Sequence, residues 1–260
     1  MDPGFRSPLV DLFRRGEAAR DVRLLAAQGA LAPRAYEQIA LLVLLSDDPD
    51  QEVAQTANST LDTLPREAVG ALLTKGDVPA EIRQFFAARG VQAVAGPVDG
   101  DAPLVDTLTT LPDAAADDQP DGQAEGRRPL SSLPVIERVK LAMKGTREQR
   151  SQLVRDTNRM VAAAVLSSPK LTESEVEQFT KLGNVSEDVL RTIGMNRGWS
   201  KNYGVVLGLC RNPKTPAAIA MQMIHRLTER DLKMLTTDRN VPEALRVVAR
   251  KLMTKSRTGH

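Results

Sequence analysis

The chain of 260 residues is 42% hydrophobic and 26% charged, apolar enough to bury sizeable cores. No apolar run approaches the roughly eighteen residues of a membrane span, and the single cysteine, Cys210, excludes an intramolecular disulfide and fits a reducing cytoplasm. The formal net charge of +2 conceals a polarity along the chain: residues 1–91 carry 10 basic and 13 acidic side chains, residues 92–131 carry 2 and 8, and residues 132–260 carry 23 and 12.

Ala, Leu, Arg, Glu and Gln dominate and few segments alternate β-branched residues, which predicts helices throughout. The opening run Met1-Asp2-Pro3-Gly4-Phe5-Arg6 lacks the apolar core of a signal peptide. The first of five similar helix-start signals is Asp48-Pro49-Asp50-Gln51-Glu52-Val53, and Asp77-Val78-Pro79-Ala80-Glu81-Ile82 follows it. Proline suits the first turn of a helix, where its missing N–H has no intrahelical partner to lose, and the acidic residues after it favour the positive end of the helix dipole. Residues 92–131 then lack any aromatic residue and are rich in Ala, Gly, Asp and Pro, which predicts a disordered acidic linker. Within it, Leu104–Leu111 has the apolar spacing to dock transiently as a short helix.

Beyond the linker the start signal recurs at Asn184-Val185-Ser186-Glu187-Asp188-Val189, Lys214-Thr215-Pro216-Ala217-Ala218-Ile219 and Asn240-Val241-Pro242-Glu243-Ala244-Leu245. The starts at 49, 79, 186, 216 and 242 are 30 residues apart on the N-terminal side, then 30 and 26 on the C-terminal side. Val53, Ile82, Val189, Ile219 and Leu245 open apolar stripes at helical spacing, such as Leu245, Val248, Ala249 and Leu252. Helices this short are unstable alone and must stack, so the expectation is an all-α chain built as an α-solenoid. It has a helical-repeat domain at 1–91, the linker at 92–131, and a basic helical-repeat domain at 132–260. Gly204 and Gly208, four apart, predict close helix packing. Asn184, Asn212 and Asn240, 28 apart, predict a row of turn-binding asparagines.

Catalytic arrangements are not supported. Only His225 and His260 are available for a histidine site, and His225 is expected to be a partly buried helix residue. Cys210 follows an apolar stripe and is expected to be a buried structural thiol. Glu173, Glu175 and Glu177 read as the solvated first turn of a helix after Thr172. No phosphate-binding glycine fingerprint occurs, so no enzyme activity, cofactor or metal is expected.

The stretches Ala162-Ala163-Ala164-Val165-Leu166-Ser167-Ser168-Pro169, Arg211-Asn212-Pro213-Lys214-Thr215-Pro216 and Asp238-Arg239-Asn240-Val241-Pro242 resemble the HEAT-like and leucine-rich-variant repeat proteins of bacteria. Asp48-Pro49-Asp50-Gln51-Glu52-Val53-Ala54-Gln55-Thr56-Ala57 resembles a HEAT-type turn and second helix. The resemblance covers most of both helical parts and implies a right-handed superhelix of paired helices that works as a binding scaffold. Some leucine-rich-variant proteins hold an iron–sulfur cluster on a separate cysteine motif, which one cysteine cannot supply. Some HEAT-like folds are DNA glycosylases, and the scarcity of aromatic residues here speaks against that chemistry.

Lys and Arg in the last part either solvate the outside of the stack or present a face to an anionic partner: an acidic protein, nucleic acid or an anionic lipid surface. Arg197-Gly198-Trp199-Ser200-Lys201-Asn202-Tyr203 interleaves aromatic and basic residues near Arg211 and Lys214. Trp199 either stacks on a partner or packs onto the next helical turn. The residues expected to bind are Arg197, Lys201, Tyr203, Arg211, Lys214, Arg226 and Arg239. The expected function is a non-enzymatic scaffold holding an acidic protein, with nucleic-acid binding through the same face as the alternative.

Overall fold

A computed structural model describes residues 7–32, 34–76, 78–94, 103–105 and 129–258, with side chains up to Thr254. The described residues form fifteen α-helices and no strand. Before the linker these are α1 (Pro8–Arg14), α2 (Arg20–Ala27), α3 (Ala35–Leu45), α4 (Gln51–Thr63), α5 (Arg66–Leu73) and α6 (Ala80–Ala88). After it come α7 (Val135–Lys144), α8 (Arg147–Leu153), α9 (Arg159–Leu166), α10 (Glu173–Lys181), α11 (Glu187–Met195), α12 (Tyr203–Arg211), α13 (Ala217–Met223), α14 (Glu229–Thr237) and α15 (Glu243–Thr258). Single 3-10 turns occupy Leu130–Ser132, Trp199–Lys201 and Ile224–Arg226. Within the region expected to be a disordered linker, residues 95–102 and 106–128 lie outside the described residues.

The five start signals become the starts of α4, α6, α11, α13 and α15. Pro79 and Pro216 sit one position earlier than the first turn, at the N-cap, where φ of −57° and −52° with extended ψ matches proline's fixed geometry. At α4 the cap is Asp50, whose Oδ1 accepts from Glu52 N at 3.0 Å and Val53 N at 3.4 Å. The intervening helices of the C-terminal part start on other chemistry. Thr146 and Thr172 form capping boxes with Gln149 and Glu175, and Asn202 and Thr228 cap α12 and α14. Asn158 and Ser186 cap α9 and α11 in the same way. Alternate helices touch: α10 packs on α8 and α12, α11 on α9 and α13, and α13 on α15.

The two helical parts meet. Helix α1 packs on both α3 and α9, and Arg159 at the start of α9 reaches Glu17 at 3.4 Å as well as Asp188 at 2.5 Å. Asp188 and then Glu17 raise the Arg159 pKa above the ordinary guanidinium value. Buried side chains from α1, α3 and α9, among them Leu9, Phe13, Ile39 and Val161, belong to one apolar core.

Close approach of α10 and α12 rests on the two glycines. A Cβ on Gly208 would lie 2.0 Å from Thr180 Oγ1 and 2.8 Å from Thr180 Cβ, and Thr180 is fully buried. A Cβ on Gly204 would meet only the carboxylate end of Glu177, at 2.4 Å from Cδ. Alanine gains about 1 kcal/mol of helix propensity at either position. At Gly208 the buried neighbour cannot move aside, so Gly208→Ala is expected to destabilise by about 1–3 kcal/mol. At Gly204 the flexible Glu177 side chain swings into solvent, and Gly204→Ala is expected to be neutral or stabilising. Urea denaturation of the two variants checks the opposite signs.

One turn further along the same α12 stripe, Asn212 is 5% exposed and its Nδ2 donates to Thr180 O at 2.8 Å and Leu182 O at 2.9 Å. This is the expected turn-binding role, but it does not extend to Asn184 or Asn240, which are exposed. Asn212 lies four residues before its helix cap, whereas Asn184 and Asn240 lie two before theirs, so their even sequence spacing does not place them in register.

The carboxylate run also differs from the expectation of a solvated turn. Glu173 and Glu177 are at least partly exposed, but Glu175 is 1% exposed and paired with Arg150, itself 5% exposed. Arg150 Nε donates to Glu175 Oε1 at 2.9 Å and Nη2 to Oε2 at 3.1 Å, while Nη1 donates to Gly145 O at 2.7 Å and Nη2 also reaches Lys170 O at 3.3 Å. Thr172 N and Oγ1 donate to the same carboxylate at 3.0 and 2.9 Å. Every charge in this cross-link between α8 and α10 is answered by a hydrogen bond.

Candidate partner-binding surface

Helix α12 organises the basic residues into two groups. Its nine residues rise by about 1.5 Å each, so its two ends are roughly 12 Å apart. At the N-terminal end, Asn202 caps the helix with Oδ1 accepting from Gly204 N at 2.8 Å, which places Tyr203 at the rim. The Tyr203 hydroxyl donates to Asp231 Oδ2 and accepts from Thr228 N at 3.1 Å, tying the start of α12 to the start of α14. The Tyr203 bond first, and second one that the Thr228 hydroxyl donates to Asp231 Oδ2 at 2.8 Å, hold the Asp231 carboxyl below its ordinary range. A depressed carboxylate stabilises the fold above its unfolded value, and that contribution disappears as pH falls through the folded one. Arg226 completes the group by donating from Nη1 to Ser200 O at 2.5 Å and from Nη2 to Lys201 O at 3.4 Å.

Thus Lys201, Tyr203 and Arg226 are brought together, with Arg197 exposed in the loop before the Trp199–Lys201 turn. Trp199 is half-buried against the core, matching the packing alternative rather than a free stacking platform. At the other end of α12, Arg211 faces Asp238 at 3.8 Å, with Lys214 and Arg239 exposed in the adjoining turns. Lys201, Lys214 and Arg239 make no ion pair among the described residues.

Sequence reasoning named Tyr203, which is 40% exposed, but missed the methionines of this surface. Met234, one turn along α14 from Asp231, is 44% exposed. Met195, at the end of α11 just before Arg197, is also exposed. The signal was available: Leu232 and Leu235 form the buried stripe of α14, and Met234 falls off it.

Elsewhere a cleft of about 90 Å³ lies between α1, α9 and α11, rimmed by Arg15, Arg159 and Arg191 together with Asp11 and Asp188. Its arginines alternate with carboxylates, so it offers no net anion site. His225 is exposed on the Ile224–Arg226 turn, not partly buried as expected, because the turn carries Ile224 inward in its place. Among the described residues no group of three His, Cys, Asp or Glu side chains is placed to hold a metal ion, and no helix is long and apolar enough to cross a membrane.

Cys210 is 1% exposed, its Sγ directed at Ala220 O at 3.7 Å, and burial pushes its pKa up to about 12. The thiolate is the reactive form, so the folded protein is expected to resist an aromatic disulfide reagent at about pH 8 and to react at once in urea. Rapid labelling without denaturant would place Cys210 outside the core. The raised value also means that stability declines above the ordinary thiol range of about 8.5, where only the unfolded chain ionises.

No family model, no curated protein and no solved structure matches this chain. The fold and the surface therefore carry the functional argument themselves.

Proposed function

We propose that the chain is an α-solenoid of HEAT-like repeats whose basic C-terminal part is a non-catalytic scaffold for an acidic protein partner. The observation that carries this reading is the mixed character of the surface around α12. Tyr203 stands exposed with Lys201 and Arg226 around it, Met234 stands exposed on α14 one turn beyond the Asp231 that Tyr203 bonds, and Arg211, Lys214 and Arg239 lie at the far end of α12. Tyr, Met and Arg are the residues enriched at protein interfaces. A surface built only to follow phosphates needs cations and gains little from an exposed methionine. The internal bonds of Tyr203 and Arg226 fix their positions before a partner arrives, which lowers the ordering cost of binding.

The test is an anisotropy titration of the full chain against two probes: a synthetic peptide alternating Glu with Leu and Phe, and a random-sequence DNA duplex. The peptide is expected to bind with a shallow salt dependence. Met234→Ser and the triple variant Lys201→Glu, Lys214→Glu, Arg239→Glu should each weaken it. A duplex that binds more tightly than the peptide, loses orders of magnitude in affinity between about 50 and 200 mM salt, and ignores Met234→Ser would replace this reading with nucleic-acid binding.

A further inference from the structure

Gln38, in the middle of α3, is 1% exposed, yet its side-chain amide does not face other side chains. Its Oε1 accepts from Leu104 N at 2.7 Å and from Val105 N at 3.3 Å. Its Nε2 donates to Val105 O at 3.1 Å and to Gly29 O at 2.9 Å. The orientation of the amide is fixed by these partners, since two N–H groups require the oxygen and two carbonyls require the nitrogen. Leu104 and Val105 are half-buried against the core. They belong to the stretch from which a short helix was expected; Pro103–Val105 are non-helical, and residues 106–111 lie outside the described residues.

Gly29 supplies the other half of the site. It ends α2 in the left-handed region, with φ of 75°, and its missing Cβ leaves room for a side chain on top of it. A Cβ at Gly29 would lie 3.1 Å from Val105 Cβ and 3.3 and 3.4 Å from the two Val105 methyl carbons. Gln38 therefore reads the backbone of a dipeptide on three of its groups, and the Gly29 platform selects the β-branched side chain that follows.

We propose that Gln38 and Gly29 form a binding site for a bent apolar peptide of the pattern Leu followed by a β-branched residue, its two successive N–H groups converging on Gln38 Oε1, and that Pro103-Leu104-Val105 is its exchangeable resident. Two features support exchange. The recognition is of main-chain groups, which another chain bent in the same way can offer. Without a peptide the Gln38 amide keeps only its bond to Gly29 O, and the bonds it makes to Leu104 and Val105 must be remade by water or by another chain. The resident is tethered by the eight residues between Val94 and Pro103, which holds it at an effective concentration of order millimolar. A free ligand binds only when it exceeds that competition.

The experiment uses the full chain and its double variant Leu104→Asp, Val105→Asp, which empties the site without touching a helix. The probe is a blocked peptide, Asp-Ala-Pro-Leu-Val-Asp-Thr-Leu, followed through the Gln38 side-chain NH2 signals by NMR. The emptied variant should bind it saturably, with a dissociation constant of about 0.1 mM or below, and the unaltered chain about tenfold more weakly, because its own segment competes at an effective concentration of about 1 mM. The same peptide carrying N-methyl-leucine, which removes one donor to Oε1, should not bind the emptied variant. Gln38→Met in the emptied background should likewise abolish binding. Its circular dichroism spectrum checks that it folds, and the methylated peptide tests the same bond if it does not. No binding to the emptied variant, equal binding to both chains, or full binding of the N-methyl peptide would each overturn the proposal.

Discussion

Arg150→Ala is expected to lower the unfolding free energy by about 3–5 kcal/mol. Its guanidinium is held by the Glu175 carboxylate and the Gly145 carbonyl, both away from solvent, and by the half-buried carbonyl of Lys170. Removing it strands a carboxylate that is 1% exposed and leaves two carbonyls without their donor. The loss should appear as a drop of roughly 10 °C in melting temperature for a chain of this size. The effect belongs to the broken pair and not to the pair's intrinsic worth. The double variant Arg150→Met, Glu175→Leu, which replaces both charges with apolar volume, is therefore expected to recover most of the loss. Glu177→Ala, which removes the exposed pair with Lys181, should cost well under about 1 kcal/mol. Similar melting temperatures for Arg150→Ala and Glu177→Ala would show that the Arg150–Glu175 link does not hold α8 to α10.

How far the fold was legible follows from what each signal measures. Helix starts marked by Pro or Ser are local events, so Pro79, Ser186, Pro216 and Pro242 could be found from their neighbours alone, whereas the start read at Pro49 lies one residue before the Asp50 cap of α4. The paired glycines of α12 were legible for the same reason, since Gly at i and i+4 marks one face before its neighbour is known. Glu175 was not, because its burial depends on Arg150, 25 residues away, and a carboxylate after a capping Thr looks identical whether water or a guanidinium faces it. The capping box at Thr172 was itself a hint, since it points the Glu175 side chain back along the helix. Gln38 was hidden for a different reason. Within Glu37-Gln38-Ile39 it interrupts an apolar helix, and nothing local tells that a segment 66 residues later completes its bonds.

The surface around α12 was legible in charge and illegible in shape. Counting Lys and Arg located the basic C-terminal part, but the ends of a helix are where side chains diverge, and only packing shows which cations face one another. Arg226 meets the carbonyls of Ser200 and Lys201 because the Ile224–Arg226 turn redirects the chain. A continuous helix through those residues, as the expectation of a helical His225 assumed, would have pointed Arg226 elsewhere.

Leu245→Ala is expected to cost about 2–5 kcal/mol. Leu245 is 2% exposed in the first turn of α15, a helix that packs on α13 and α14. Ile219, the equivalent first-stripe residue of α13, was expected to be equally buried and is half-buried instead, with Ala220 taking the inner position. It still presses on α11, where a Cβ added to Gly194 would lie 2.5 Å from Ile219 Cγ2, so Ile219→Ala should cost less than Leu245→Ala but more than a surface change. Lys214→Ala should be nearly silent, because the bond at that position is made by its backbone N–H to Asn212 Oδ1 at 3.0 Å and survives the substitution. Because α15 is the last described helix and lies at one end of its row, its loss of anchorage should also be local. Hydrogen exchange of the α15 amides is expected to accelerate roughly 30-fold or more in Leu245→Ala while the α9 amides change less. A ranking with Ile219→Ala at or above Leu245→Ala, or exchange that rises equally in α9 and α15, would mean that Leu245 does not anchor the last helix.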